Sequence, residues 1–261
     1  MSDPDPWKIT PRTSRRPDDP EGQEFADHFA SELLDTITAA IRNRPRSLQR
    51  EIGPSELGIP CDRALLHKLA EDDEPRDRGP AWKAEVGTAL HAMMERLFST
   101  DEKVEDGWLT EEKLLVGDVG GTGITGSADL YNGGAVVDWK FVGASMLKKY
   151  KASGPGEQYR GQAHLYGRGF RTLGYAVELV MIAFVPRDGE LEDSFFWWER
   201  FDPDHAEAVL ARANKMFRLQ EALGAEKAAE LYPACQDPWC AWCGTGKAWG
   251  GPSALSMDMK L

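Results

Sequence analysis

The run TGITGSADLYNGGAVVDWKF, residues 122–141, decides how the chain folds. Apolar and polar residues alternate on both sides of Asn132-Gly133-Gly134, which is the period of a strand. Asn and Gly tolerate positive φ, so these three residues read as a tight hairpin between antiparallel strands. Val136 and Val137 are ordinary buried-strand residues. Asp138 and Lys140 then stand two apart, and positions two apart on a strand share a face. Trp139, between them, alternates to the other face and reads as core. A carboxylate and an ammonium thus project together from the end of an apolar strand. That is either a solvated surface pair, worth little, or half of an active site. Pairing about the turn brings Asp129, on the outgoing strand, to a similar height as Asp138. Two carboxylates so placed repel unless a proton or a cation stands between them. A hard divalent ion such as Mg²⁺ or Mn²⁺ suits them, because it prefers oxygen ligands. Lys140 beside it would stabilise charge developing on a phosphoryl group.

Outward from the hairpin, helical spacing marks residues 23–43, 81–99, 157–173 and 202–224. GPSELGIPCDRALLHKLA, residues 53–70, reads as one further helix with Ser55 as its N-cap. Further strands are expected at 111–117, 176–185 and 193–201. The whole reads as one α/β domain over residues 23–261, with helices before and after a central sheet. Residues 1–22 are polar and proline-rich and read as a disordered arm without a secretory h-region. The longest apolar run, YAVELVMIAFVP, is interrupted by Glu178 and too short to span a bilayer. A protein of the cytoplasm, away from membranes, is expected.

The chain has 261 residues, a net charge of −12 and four cysteines. An acidic chain is not the usual footprint of a nucleic-acid binder, so such a role needs a local basic patch. One lies in residues 141–175. Lys148, Lys149, Lys151, Arg160, Arg168 and Arg171 stand there against the single acid Glu157. The patch follows the Asp138/Lys140 strand directly, where phosphate contacts would be useful. Lys148, Lys149, Lys151 and Arg160 are the candidate DNA contacts. Tyr159, Trp239 and Trp242 are candidates to stack on unpaired bases.

Two more helices bear on the same place. GTALHAMMER sets Gly87, His91 and Glu95 four apart on one face, and QYRGQAHLYGRGF does the same for Gln162 and Tyr166. In this order, His91, Asp129 in GSAD, Asp138-Trp139-Lys140 and Gln162/Tyr166 resemble the PD-(D/E)XK nuclease superfamily, in its RecB-like exonuclease branch. The resemblance covers residues 55–243. It implies a restriction-endonuclease-like core, a central mixed sheet flanked by helices. It also implies that His91, Asp129 and Asp138 hold a divalent metal, helped by the Trp139 carbonyl. Lys140 would then orient water or stabilise the transition state. Gln162 and Tyr166 would shape the site and place the DNA backbone.

Cys61 stands early, and Cys235, Cys240 and Cys243 stand late in CQDPWCAWC. Four cysteines in such a chain favour metal or redox chemistry over disulfides. They would clip a terminal region, residues 232–250, to residues 55–70. SELG-x-x-C-x-R, with Cys61 and Arg63, is similar to the early motif of the iron–sulfur RecB-like nucleases: CRISPR-associated exonucleases, AddB nuclease domains and phage exonucleases. That resemblance implies a [4Fe–4S] cluster, with zinc as the alternative. The late spacing is C-x4-C-x2-C where the family has C-x2-C-x5-C, and Trp249 stands at the family's last position.

The expected activity is metal-dependent exonucleolytic cleavage of DNA, preferring single-stranded ends, in recombination, repair or CRISPR-adaptation-like processing. No P-loop motif is present, so duplex ends would call for a helicase or recombination partner. The rivals are a non-catalytic DNA-end-binding module and a structure-specific endonuclease on the same fold.

Overall fold

The computed structural model describes residues 10–14, 18–42, 52–72, 81–238 and 240–244. The chain divides into two compact units, one of Met1–Gln49, Pro75–Glu85 and Gly246–Leu261, the other of Arg50–Glu74 and Val86–Thr245. In the first, helix α1 (Pro20–Arg42) carries an apolar stripe of Phe25, Phe29, Leu33 and Ile37, all exposed. Residues 1–9 and 15–17 of the expected arm lie outside the described residues, as do Trp239 and Trp249.

The second unit is built on a five-stranded mixed sheet in the order β1-β2-β3-β4-β5. The strands are β1 (Leu109–Val119), β2 (Thr122–Asn132), β3 (Ala135–Val142), β4 (Leu179–Pro186) and β5 (Phe195–Arg200). All neighbours are antiparallel except β3 and β4. A parallel pair needs a crossover, and two helices supply it: α6 (Ala144–Ser153) and α7 (Gly156–Thr172). The other helices are α2 (Pro54–Leu57), α3 (Asp62–Leu69), α4 (Trp82–Phe98), α5 (Asp101–Glu105), α8 (Pro203–Leu223) and α9 (Ala225–Glu230). From Val86 onwards α4 belongs to this unit. The expected α/β architecture, a mixed sheet flanked by helices, is what the chain forms. No described helix is long and apolar enough to cross a membrane.

The β2–β3 hairpin turns on Gly133 and Gly134, at φ 55° and 95°. Only glycine takes both values without strain, and two such residues match the twist of the flanking strands. The core lies between the sheet and helices α7 and α8, with Phe170, Leu165, Leu114, Ile182 and Phe184 almost fully buried. α7 is buried nearly all round from Gly161 to Phe170. Glycine weakens an isolated helix by about 1 kcal/mol per residue relative to alanine. Here it lets neighbours close in: a Cβ on Gly167 would meet Phe201 at 2.5 Å, and one on Gly169 would meet Leu114 at 2.9 Å. Packing, not propensity, therefore holds this helix.

Two local expectations are corrected. Residues 53–70 form two helices rather than one, because Gly58, Ile59 and Pro60 interrupt them. At Gly58 a Cβ would meet the Gln158 carbonyl oxygen at 2.7 Å, so α7 docks in that break. Ser55 is not the cap. Gly53 holds that position, Pro54 opens α2, and Glu56 Oε2 accepts the Gly53 N–H at 3.0 Å. Helix α6, hidden in the basic run, buries Leu147 and Tyr150 and ends at Gly154, at φ 73°.

Candidate active site

The β2–β3 ladder pairs Asn132 with Ala135, Tyr131 with Val136 and Leu130 with Val137. The next rung in that register is Asp129 opposite Asp138. There the backbone pairing stops. The Trp139 N–H donates to Asp129 Oδ2 at 2.7 Å, so a carboxylate takes a donor that a longer ladder would have used. The other oxygen, Oδ1, lies 3.2 Å from His91 Nδ1 on α4. Burial pulls the His91 pKa down, but the Asp129 carboxylate outweighs it and the net shift is upward. Phe141 stands edge-on to the imidazole, with ring centroids 5.4 Å apart.

A third donor comes from β1. Thr110 pairs with Leu130 and Glu112 with Ala128, so Glu111 stands opposite Asp129. Its φ is +49°, in the left-handed region that a bulky residue seldom enters. One ligand atom each from His91, Glu111 and Asp129 lies within 4.8 Å of the others. Strain of this kind concentrates where the surrounding structure aims a side chain. Sequence reasoning missed Glu111. Counting the β1–β2 register straight back from the Gly120-Gly121 turn pairs Glu111 with Leu130, and the irregularity between Leu115 and Gly117 moves it opposite Asp129.

Asp138 and Lys140 share a face of β3, as expected, and their charged ends touch. This is no surface pair: the side chains are 3% and 16% exposed. Burial pushes the Asp138 carboxyl up to about 6 despite the Lys140 ammonium, and Asp129 adds to the rise. Lys140 Nζ also sits 4.9 Å above the ring of Tyr159. Asp138 thus meets Lys140, and Glu111 stands with His91 and Asp129. Trp139 turns to the other side and stacks on Phe98 of α4, with centroids 5.9 Å apart.

Gln162 and Tyr166, one turn apart on α7, are buried and share a hydrogen bond. Burial raises the Tyr166 hydroxyl pKa, and Asp138, Asp129 and Glu111 raise it further, so it stays a neutral phenol beside the carboxylates. Gln162 Oε1 is buried without a hydrogen-bond partner. A Cβ added to Gly87 would meet nothing within 4 Å, so no close backbone approach occurs there, and Glu95 is exposed.

The basic run divides. Lys148, Lys149 and Lys151 are exposed on α6. Arg160 Nε binds Glu199 Oε1 at 2.6 Å, and Arg168 Nη1 donates to the Val116 carbonyl at 2.8 Å. Both arginines thus have partners within the fold. Glu199 also meets His164 Nε2 at 2.6 Å, and His164 Nδ1 accepts the Asp202 N–H at 3.2 Å. His164 is fully buried. Tyr159 lies under Lys140, and Trp242 is stacked on His67 at 5.3 Å, so one face of each is occupied.

The four cysteines form a second, separate group, close enough to hold a metal ion. Cys61 Sγ lies 3.6 Å from Cys243 Sγ and 3.8 Å from Cys240 Sγ, and all four sulfurs are within 4.8 Å of one another.

No protein family and no curated protein matches this chain. Among solved structures, LHK-Exo in complex with dAMP is 14% identical over 70% of this chain and 95% of its own, at a TM-score of 0.45. An alkaline exonuclease (LHK-Exo) from Laribacter hongkongensis is 11% identical over 76% of this chain and 100% of its own, at 0.44. Both likenesses are distant.

Proposed function

We propose that the chain is a metal-dependent deoxyribonuclease with a restriction-endonuclease-like core, and that it trims DNA from ends, preferring single strands. One observation carries this reading: His91, Glu111 and Asp129 converge within 4.8 Å beside the buried Asp138/Lys140 pair. Two carboxylates and an imidazole suit a hard divalent cation such as Mg²⁺ or Mn²⁺. The buried, unpartnered Gln162 oxygen adds acceptor character to the same surroundings.

His91, Glu111 and Asp129 would hold the cation, with Asp138 beside them. Once bound, it supplies charge neutralisation at the phosphate and makes water more acidic. Asp129 fixes the Trp139 amide, in the middle of β3, with its other oxygen. Lys140 orients the attacking water or takes up charge developing on the scissile phosphate. Its contact with Asp138 and its seat over Tyr159 hold it inside the site until substrate arrives. Gln162 and Tyr166 line the site as neutral hydrogen-bonding groups. Lys148, Lys149 and Lys151 meet the DNA backbone, with Arg160, already paired with Glu199, on the following helix. A helicase or recombination partner would open duplex ends for it.

The test uses an end-labelled single strand with Mn²⁺ or Mg²⁺, comparing wild type with Lys140→Ala and Asp129→Ala and measuring DNA binding in parallel. Cleavage by wild type alone is expected. DNA bound but uncut by all three would leave an end-binding module. Opening of a circular single strand would make it an endonuclease.

A further inference from the structure

The likeness to iron–sulfur nucleases implies a [4Fe–4S] cluster at the cysteines. The four sulfurs do not fit one. In such a cluster each thiolate binds its own iron, so the four sulfurs surround a cage of irons and sulfides. A tetrahedron of sulfurs with two edges of 3.6 and 3.8 Å, and none beyond 4.8 Å, encloses no such cage. It does enclose one ion. With a zinc–sulfur bond of about 2.3 Å, a regular tetrahedral site has sulfur–sulfur edges of about 3.8 Å. The edges are also far longer than a disulfide, which needs about 2.05 Å.

The backbone supports the same conclusion. The backbone N–H groups of Trp242 and Cys243 favour the Cys240 thiolate, and the Gly244 N–H closes the turn on the Cys240 carbonyl at 3.0 Å. Cys235 Sγ accepts from the Asp237 N–H, and Cys61 Sγ, at the head of α3, accepts from the Ala64 N–H at 3.5 Å. Amide hydrogen bonds spread the negative charge that four thiolates bring to a single cation. The departure from C-x2-C-x5-C agrees: Cys235 approaches from before the C-x2-C pair, not from after it.

We propose that Cys61, Cys235, Cys240 and Cys243 bind one tetrahedral zinc ion in place of an iron–sulfur cluster. Four protein thiolates leave no open position, so the ion has a structural role. It closes a loop between Cys61 and Cys243, 182 residues apart. Two further ties join the same segments. Arg63 Nε donates to the Tyr232 carbonyl at 2.8 Å, and Trp242 stacks on His67. This proposal stands whether or not the chain cuts DNA.

The experiment uses the full chain, purified without oxygen from cells supplied with both iron and zinc. Metals, acid-labile sulfide and native thiols are then counted on the same sample. The expected result is about one zinc per chain, no labile sulfide and no visible chromophore. Exchange with Co²⁺ should bring out the intense visible bands of a tetrahedral thiolate site, and Cys235→Ser should weaken them. Iron and sulfide at about four each would overturn the proposal. So would four free thiols, or a disulfide, with no metal.

Discussion

The row of carboxylates across β1–β3 and the knot of cysteines between α3 and the terminal turn are both close enough to hold a metal ion, but they are built on opposite terms. The first mixes oxygen and imidazole donors, keeps His91 30% exposed, and holds backbone strain at Glu111. The second is all sulfur, held by amide hydrogen bonds, and closed. On the function and zinc site proposed above, the contrast separates a site arranged for exchange with solvent and substrate from one arranged to hold two chain segments together. It also predicts that the two can be disabled independently.

The largest effect falls on cleavage. Lys140→Ala should lower the rate by about 10²–10³-fold, the usual cost of one group aimed at developing charge. Folding should survive, because Asp138 can take a proton once its partner is gone. Single-turnover rates together with thermal melts check this. Cys61→Ser should do the reverse. It should cost about 3 kcal/mol of stability, roughly 6–12 °C in melting temperature, while the protein that remains folded still cuts. If Cys61→Ser abolished cleavage at temperatures where the protein is folded, the two clusters would not be separable.

Glu111→Gln sharpens the comparison within the first site. It should weaken Mn²⁺ binding about 10–100-fold by calorimetry, the range for a group that supports a metal. Glu112→Gln, one residue on, should leave it unchanged. Replacing Lys148, Lys149 and Lys151 by Ala should reduce the slope of log affinity against log salt by about 2–3, without changing the metal affinity. The smallest effect is on pH. Burial holds His164 below the usual imidazole range, against the pull of Glu199, with His205 and Arg160 adding to the depression. Its unfolded value is about 6.5. Above that pH the contribution to stability is fully present, and it is lost as pH falls through the lower folded value. The decline in melting temperature between about pH 7 and pH 5 should therefore be shallower in His164→Gln.

Much of the site was legible because its signals are local. The β2–β3 hairpin announces itself by alternation and by its Gly-Gly turn, and its register places Asp129 level with Asp138. Helical spacing puts Gln162 and Tyr166 on one face, but only the resemblance to the nuclease pattern singled out that pair and His91. Glu111 was not legible in that way. Two glutamates stand side by side in EEKLLVG, and only the β1 register and a left-handed backbone select the first. The break at Gly58 depends on where α7 docks. The pairing of Arg160 depends on a partner as remote as Glu199, 39 residues away. Such long-range facts leave little trace in a local pattern. The cysteines could be grouped from sequence, but the choice between an ion and a cluster rests on distances between sulfurs.

The most direct test of the two-cluster account is a mild chelation experiment on the intact protein. A chelator such as EDTA, at a strength that strips loosely held divalent cations, is applied while cleavage of an end-labelled single strand and the melting temperature are followed together. The account predicts that cleavage disappears, that the melting temperature does not move, and that Mn²⁺ alone restores cleavage. Cleavage that persists without free divalent cation, or that is lost only in step with unfolding, would contradict it.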